Sequence, residues 1–532
     1  MSVTHLFLAL APILIILFAL IVFRQAADLS ALIGWAAVSA IAFLFFHTSL
    51  EVILRSTLSG MVRSFSVSLI VAMSLLQMAY MERTGALQRI IVFLKTLSSE
   101  NRAIEIMMIN IGFGTLMVAV GATPVSILPP ILLALGYSTR TAIALPAIGY
   151  DSLCTYALLG APIVIFVDIA NSFLGKGSEI SLREAGTIFC VFLPVVSTMI
   201  GFCMLWIVGR MEMVRQGWFP CILTGAVIGL VSYITNQYDN LVVLTGVIAG
   251  MAVIAAMAGL LLLSGKQLMD RSRLTPDDVK VESSFELWRA LTPWLFLVGL
   301  ILALNVPKES FDYLYRSLKM PIEGLTADGK SLDTRALWQA YTWILVSTLL
   351  SIPFIRPTGA QISASLKTWL KRAPRPVFAA AVFFSIGEIM NMSGFDMENQ
   401  KFVTSSMIKV LADYSAYFFA DYYGVVVSFI GLFGGFITGS EASTIAMFAK
   451  YTLSTGQNLG LPLMGLIVLT AGLAFGGGLA SVISPAKLQN AAAAIDRIGE
   501  ESGVIRLAFV FSLTLTSITA LFVVLMMKYY GL

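Results

Sequence analysis

The sequence predicts an all-α polytopic membrane protein made of two inverted-topology repeats, each with a re-entrant helical hairpin and a broken transmembrane helix. Three observations carry this: composition, loop charge and recurring breaks. Of 532 residues, 58 % are hydrophobic and 12 % charged, whereas soluble domains average about 45–50 % apolar and about 25 % charged residues. Half the usual charge cannot cover a water-facing surface, which excludes a soluble enzyme, a disordered chain and a nucleic-acid binder. The balance of 34 basic and 30 acidic residues gives no signal for a polyanion partner.

Cysteine and histidine narrow the chemistry. Cys154, Cys190, Cys203 and Cys221 all lie in apolar stretches without a C-x-x-C pair, so neither a disulfide framework nor a zinc site is indicated. His5 and His47 are too few and too far apart for a metal or haem centre. No metal and no cofactor are expected. The run from His5 to Phe23 lacks a basic leader and a cleavage motif, and reads as the first membrane helix.

Apolar runs fall at 5–23, 29–46, 65–81, 103–135, 141–174, 185–209, 218–235, 239–263, 287–306, 336–355, 376–392, 421–456, 461–495 and 505–528. A single span needs about 20 residues, so the longest runs hold breaks. The largest polar loops, 264–286 and 307–335, are too small for a folded domain. Orientation follows from Arg356, Lys367, Lys371, Arg372 and Arg375, a loop without acids and hence cytoplasmic. Counting spans back puts 82–102, 210–217 and 264–286 inside, and 307–335 and the N-terminus outside.

Motifs then recur in order. Met81-Glu82-Arg83-Thr84-Gly85 parallels Met390-Asn391-Met392-Ser393-Gly394, Phe113-Gly114 parallels Phe433-Gly434, and Gly160-Ala161-Pro162 parallels Ile483-Ser484-Pro485. The offsets of 309, 320 and 323 residues drift slowly. In the loop-charge topology the two copies run in opposite directions, an arrangement many secondary transporters use.

Two runs are long enough for paired half-spans. Segment 103–135 turns near Gly121-Ala122-Thr123-Pro124, entering from inside; segment 421–456 turns at Thr438-Gly439-Ser440-Glu441-Ala442-Ser443-Thr444, entering from outside. Non-helical backbone at membrane depth persists only where protein or a wet cavity satisfies it, and half-helix N-termini suit an anion. Thr123, Ser126, Ser440, Ser443 and Thr444 add hydroxyls. The plainer alternative is that small residues serve close helix packing. Gly160, Pro162, Ser484 and Pro485 interrupt the runs that follow, and would face the tips.

Ionisable groups in apolar segments often mark ion or proton routes. Glu441 lies in the second tip and Asp151 in the run 142–166; both are proton-coupling candidates, with Glu388 a weaker one. Structural hydrogen bonding is the alternative for each. Lys487 could balance a substrate carboxylate or pair with Glu441. Gly324 to Ser331 fits the P-loop pattern, but a P-loop needs a strand before it and a helix behind it, and this run lies between membrane spans. Asn391-Met392-Ser393 fits a glycosylation sequon without other secretory signs.

These residues also carry a family resemblance. Phe436-Ile437-Thr438-Gly439-Ser440-Glu441-Ala442-Ser443 resembles the F-L-T-G-S-D-x-S of the L-lactate permease family. Ile483-Ser484-Pro485, Ala491-Ala492-Ala493 and Gly499-Glu500-Glu501-Ser502 resemble its I-S-P, A-A and G-K-E-S, and Asn391-Met392-Ser393-Gly394 its N-Y-S-G. Pro124-Val125-Ser126-Ile127 and Leu135-Gly136-Tyr137 sit like its P-V-A-I and L-G-F. The resemblance implies uptake of lactate or a related 2-hydroxy monocarboxylate with protons across the inner membrane. It also implies kinship to the wider ion transporter superfamily, in which a hairpin-bearing domain moves as an elevator against a scaffold.

Two departures stand out. Val118 replaces the glutamate of the family's L-E-G-A-A-G-F-G-A-P, and the family's N-T-A-P becomes Tyr150-Asp151-Ser152-Leu153. The hypothesis is that Asp151 takes over the protonation role lost at Val118.

The expected division is scaffold helices at 1–64, a first transport half at 65–174, connecting scaffold at 175–375, a second transport half at 376–495 and a last scaffold helix at 496–532. The expected substrate contacts are Thr123, Ser126, Asn391, Ser393, Thr438, Gly439, Ser440, Ser443, Thr444 and Ser484, with helix breaks at Gly121, Pro124, Gly160, Pro162 and Pro485. Protons are the expected coupling ion, with sodium as alternative; a sodium-coupled carboxylate or sulfonate carrier and an anion channel are the competing functions. Expected partners are a small organic anion and the bilayer, with a homodimer left open. A membrane enzyme lacks any nucleophile–base constellation.

Overall fold

A computed structural model describes residues 3–531 apart from 24, 98–100, 176, 273, 485, 486, 489, 490, 493 and 498–500; the side chains of 21, 150, 151, 481 and 501–503 are likewise outside it. Twelve helices among the described residues are long and apolar enough to cross a membrane, making this a multi-pass membrane protein. In hydrocarbon each backbone polar group must be satisfied within the protein, so these runs become helices.

The first half opens with α1 (Val3–Ile21) and α2 (Ala27–Phe45). An amphipathic helix, α3 (Leu50–Arg63), follows, with Ser49 as its N-cap accepting from the Val52 N–H. Next come α4 (Phe65–Thr84) and α5 (Ala86–Thr96), separated by Gly85 at φ 81°. Helix α6 (Arg102–Ile106), capped by Asn101, runs through a π-helical turn at Met107–Phe113 into α7 (Gly114–Ala119). The chain reverses at Gly121, φ 87°, where a Cβ would meet Ser74. It returns as α8 (Pro124–Ala134), with Pro124 at its first turn. Leu128 faces Gly114, and the Tyr137 hydroxyl donates to Glu105 at 2.7 Å. Both pairs centre on residue 121, so the two legs lie antiparallel.

Helix α9 (Thr139–Gly149) leads into a 3-10 stretch at Tyr150–Tyr156 and then α10 (Ala157–Leu174). Leu158, Leu159 and Gly160 adopt left-handed backbone angles, so α10 is broken where Gly160-Ala161-Pro162 stands. Helix α11 (Leu182–Thr235) is 54 residues long and is interrupted at Gly209–Arg210, where Arg210 has φ 55°. The expected loop 210–217 is therefore helical: the chain turns over two residues and resumes the helix. Then follow α12 (Thr245–Leu263), the short polar α13 (Pro276–Ser284), α14 (Leu287–Asn305) and α15 (Lys308–Phe311).

Strands β1 (Met320–Ile322) and β2 (Leu332–Thr334) form an antiparallel hairpin. The P-loop-like run Gly324–Ser331 is the link between them, with no helix behind it. Helices α16 (Ala340–Ile355), α17 (Gly359–Arg372) and α18 (Pro374–Met392) come next, then a small hairpin of β3 (Phe395–Asp396) and β4 (Lys401–Phe402). The basic segment 356–375, read as a loop, is mostly the amphipathic α17. The chain closes with α19 (Met407–Phe419), α20 (Tyr423–Thr438), α21 (Glu441–Asn458), α22 (Leu463–Ser481) and α23 (Glu501–Tyr529). Helices α20 and α21 also double back, Gly434 facing Thr444 and Phe448 across the Gly439 turn.

Packing is reciprocal between the halves. Helices α2 and α3 pack on α18, while α16 and α17 pack on α4; α1 packs on α19 and α14 on α5. Helices α3 and α17 both have 14 residues and a hydroxyl N-cap, Ser49 and Thr358.

The tightest seam lies between α20 and α22. A Cβ at Gly431 would sit 2.0 Å from the Leu473 carbonyl oxygen, and one at Gly435 would sit 2.0 Å from that of Gly477. Here the plain explanation of small residues holds: their absent side chains let two backbones touch. Outside the spans, Lys95 donates to both carboxylate oxygens of Asp278 at 2.9 and 3.0 Å, tying α13 to α5. Burial pushes the Asp278 carboxyl up, but hydrogen bonds from Lys95 and Thr275 outweigh it and hold the group below its ordinary 3.8.

Two outcomes follow. Gly435→Val should cost about 3 kcal/mol or more by overpacking and abolish monodisperse protein in detergent, whereas Gly299→Ala, which meets open space, should leave the melting temperature unchanged or higher. The Asp278 tie is fully present above pH 3.8 and is lost as pH falls through the lower folded value. Hydrogen exchange over 276–284 should therefore accelerate on acidification below that range, and Asp278→Asn should remove the pH dependence.

Candidate functional site

Helix α21 begins at the second turn, so its free N–H groups and the positive end of its dipole point to the tip. Ser440 caps it, accepting from the Ser443 N–H at 3.5 Å. Glu441, the first helical residue, is only 4 % exposed. Its Oε1 accepts from the Thr155 hydroxyl at 2.7 Å. Thr155 lies on the 3-10 stretch, in the opposite half of the chain. A third element closes the site: a Cβ at Gly478 of α22 would lie 2.2 Å from Cys154 Sγ and 2.8 Å from Glu441 Oε2.

The broken stretch also reaches the other tip, since Leu158 lies 3.5 Å from the Cβ position of Gly121. One irregular segment, 150–160, thus touches both hairpin turns. Side chains around it anchor it. Ser197 donates to the Ser152 carbonyl at 2.9 Å, Ser152 pairs with Thr115 at 3.3 Å, and the Tyr156 hydroxyl donates to Asn236 at 2.9 Å.

The sequence-derived residues divide as follows. Thr438, Gly439, Ser440, Ser443 and Thr444 meet at the second tip. Besides the Ser440 cap, Thr438 donates to Gly434 O at 2.9 Å, and Thr444 donates to Ser440 O at 2.9 Å. Ser484 joins them, its Oγ 3.0 Å from the Cβ position of Gly439, and the Lys487 N–H donates to the Ser484 carbonyl at 3.1 Å. Thr123 and Ser126 lie on the first tip, Ser126 exposed, and no side-chain hydrogen bond joins either to the Glu441 group among the described residues. The Asp151 backbone belongs to the same stretch as Thr155, but its side chain lies outside the described residues, as does Pro485. Gly160, φ 74°, and buried Pro162 form the break and restart of α10. Gly121 and Pro124 turn the first hairpin.

Asn391 and Ser393 are not at the tips. Ser393 sits at the far end of α18, where its hydroxyl accepts from the Met407 N–H at 2.8 Å and donates to Met390 O at 2.9 Å. It holds the start of α19.

Sequence reasoning missed Thr155, Cys154 and Gly478, which become significant only through helices far away in the chain. It also missed Asn110, on the π-helical turn, whose buried side chain has no hydrogen-bond partner among the described residues, and the buried Lys450. The last had a signal: a lone cation in an apolar run. Thr155→Val should remove the Thr155 hydrogen bond to a buried carboxylate and cost about 2 kcal/mol, read as a lower unfolding temperature in detergent. Gly478→Ala should displace the Glu441 carboxylate and Cys154 more severely.

With this geometry in place, comparison with known proteins is informative. The L-lactate permease family model matches residues 5–530. The L-lactate permease of Escherichia coli K12 is 21 % identical over 543 residues, covering 96 % of this chain and 94 % of that protein. The glycolate permease of the same strain is 21 % identical over 472 residues, covering 80 % and 78 %. The solved structure of the YdaH transporter of Alcanivorax borkumensis aligns over 90 % of this chain and 88 % of its own, with TM-score 0.48 and 13 % identity. A match over nearly the whole length places this chain, as a divergent member, in the L-lactate permease family of transporters.

Proposed function

We propose that this protein is a proton-coupled symporter of lactate or a related small 2-hydroxy monocarboxylate, resident in the cell inner membrane with its N-terminus outside. The observation that carries the reading is Glu441: a buried carboxyl at a hairpin turn, bonded by Thr155 from the other half of the chain. The family's relatives named for lactate and glycolate support the substrate class. A carboxyl held dry beside helix N-termini suits alternate loading of a proton and an anion. Asp151, five residues after Pro146 and four before Thr155, is the second proton carrier in this reading.

The reciprocal packing of α2–α3 on α18 and α16–α17 on α4 supports two inverted repeats, and the doubling back of 102–134 and 423–458 supports re-entrant hairpins. In this scheme 65–174 and 376–495 carry the substrate as an elevator against the remaining helices.

Purified protein in proteoliposomes should accumulate labelled L-lactate when the outside is made acid. Glu441→Gln should lose this accumulation while keeping lactate–lactate exchange, which needs no net proton movement. Asp151→Asn should behave likewise; if it left pH-driven uptake intact, its proposed role would fall. Accumulation driven only by sodium would overturn proton coupling. Anion current without uphill accumulation would identify a channel.

A further inference from the structure

A second polar feature lies away from the tips. A cavity of about 600 Å³ opens beside the β1–β2 hairpin, within the size range of about 300–1,000 Å³ typical of ligand pockets. Its floor is apolar, formed by Ile165, Phe384 and Ala446. Ala446 and Lys450 belong to α21, five and nine residues past Glu441, or about 7 and 13 Å along the helix axis. The cavity therefore stops about one and a half turns short of the hairpin tip.

Charge is unevenly shared along its wall. Lys319 pairs with Asp333 at 3.2 Å, Lys330 with Asp328 at 3.2 Å and Arg335 with Asp168 at 2.8 Å, one carboxylate to each cation. Glu179 adds an acid at the exposed rim, where solvent screens it. The inner end differs. Lys450 Nζ donates to Glu388 Oε2 at 2.7 Å, and Arg63 Nε lies 3.8 Å from the same oxygen. Two cations share one carboxylate in a place where Lys450 and Glu388 are 8 % exposed. Arg63 Nε is buried and has no hydrogen-bond acceptor among the described residues, and its only side-chain donation there is a long one to Ser172, 3.4 Å.

The two halves of the chain supply an internal control. Arg372 ends α17 as Arg63 ends α3, and its partner is Glu82 on α4, at 2.6 Å. That pair is largely exposed, and no third charge joins it among the described residues. Residue 79, as far before Glu388 as Arg63 is before Arg372, is Ala79. Counted from the start of each hairpin's second leg, the tenth residue is Lys450 in one and Leu133 in the other. The buried triad is thus an addition to one half, not a requirement of the architecture. An unmatched buried charge is costly, and a small anion arriving from the cavity would neutralise it.

We propose that the inner end of this cavity is a carboxylate-binding site, in which Arg63 and Lys450 hold the substrate's carboxylate before it passes to the hairpin tips. The ligand identity rests on the functional reading above; the site itself rests on the cavity and the two-to-one charge count. Arg63 offers Nε and its terminal amines as a fork for a planar carboxylate, with Glu388 keeping both cations in place between turnovers.

The test is the initial rate of L-lactate uptake into proteoliposomes by Arg63→Gln, which leaves the Lys450–Glu388 pair neutral and intact, and by Lys450→Gln, which leaves Arg63–Glu388. Each should raise KM about tenfold or more, the loss expected for one charge-assisted hydrogen bond, with Vmax within about twofold. Arg63→Lys should recover part of the KM, and Arg372→Gln should leave it unchanged. L-Lactamide, which lacks the charge, should fail to compete. An unchanged KM in both glutamine variants, a fall in Vmax alone, or an equal KM rise in Arg372→Gln would each overturn the proposal. Wild-type protein that takes up neither lactate nor glycolate would instead overturn the functional reading, a result seen before any variant is made.

Discussion

Interrupted helices in an apolar core govern the rest of this structure. A backbone that leaves helical geometry in hydrocarbon must find partners within the protein, and here the segment 150–160 does so between two hairpin turns. Several of the core's polar contacts serve that requirement: the Ser152–Ser197 and Tyr156–Asn236 bonds behind the segment, the Thr155–Glu441 bond in front of it. The glycines of α20 and α22 follow from the same need, because the second turn reaches the segment only if its supporting helices come into backbone contact.

The packing of α2 and α3 on α18 is matched by that of α16 and α17 on α4, but the charges are not matched. Helix α3 packs on α18 and α17 on α4, and each ends in an arginine. What differs is depth. Arg372 meets its acid at the surface, while Arg63 meets its acid inside, with a lysine alongside. The Arg63–Lys450–Glu388 group therefore has no counterpart at the exposed Arg372–Glu82 pair.

Much of the fold was legible in the sequence because hydrocarbon imposes simple rules. Apolar runs became helices, the overlong runs 103–135 and 421–456 became paired helices, and Gly121 and Gly439 marked their turns. Charge was a weaker guide to local structure: basic residues around 210–217 and 356–375 suggested loops, and both segments are helical, since short amphipathic stretches can hide one face against a neighbour. Glu441 was conspicuous as an acid among small residues. Thr155 and Gly478 were not, because a threonine or glycine in an apolar run is ordinary until another helix is laid against it. Ser393 misled for the converse reason: its motif looked like a contact, but the hydroxyl serves the start of α19.

The reciprocal packing has a consequence for how the chain is made. The amphipathic α3 finds its seat on α18, whose first residue comes 311 positions after Arg63. At about 5–20 residues per second of synthesis, between about 15 s and a minute passes before that seat exists. During this time Leu54 and Leu58, exposed on α3 even in the finished protein, suit the helix to lie along the bilayer surface with its apolar face in the acyl boundary. Half a chain cannot finish folding, because each half supplies the surface on which the other settles. The packing of α3 on α18 therefore has to be completed after the C-terminal half has been made.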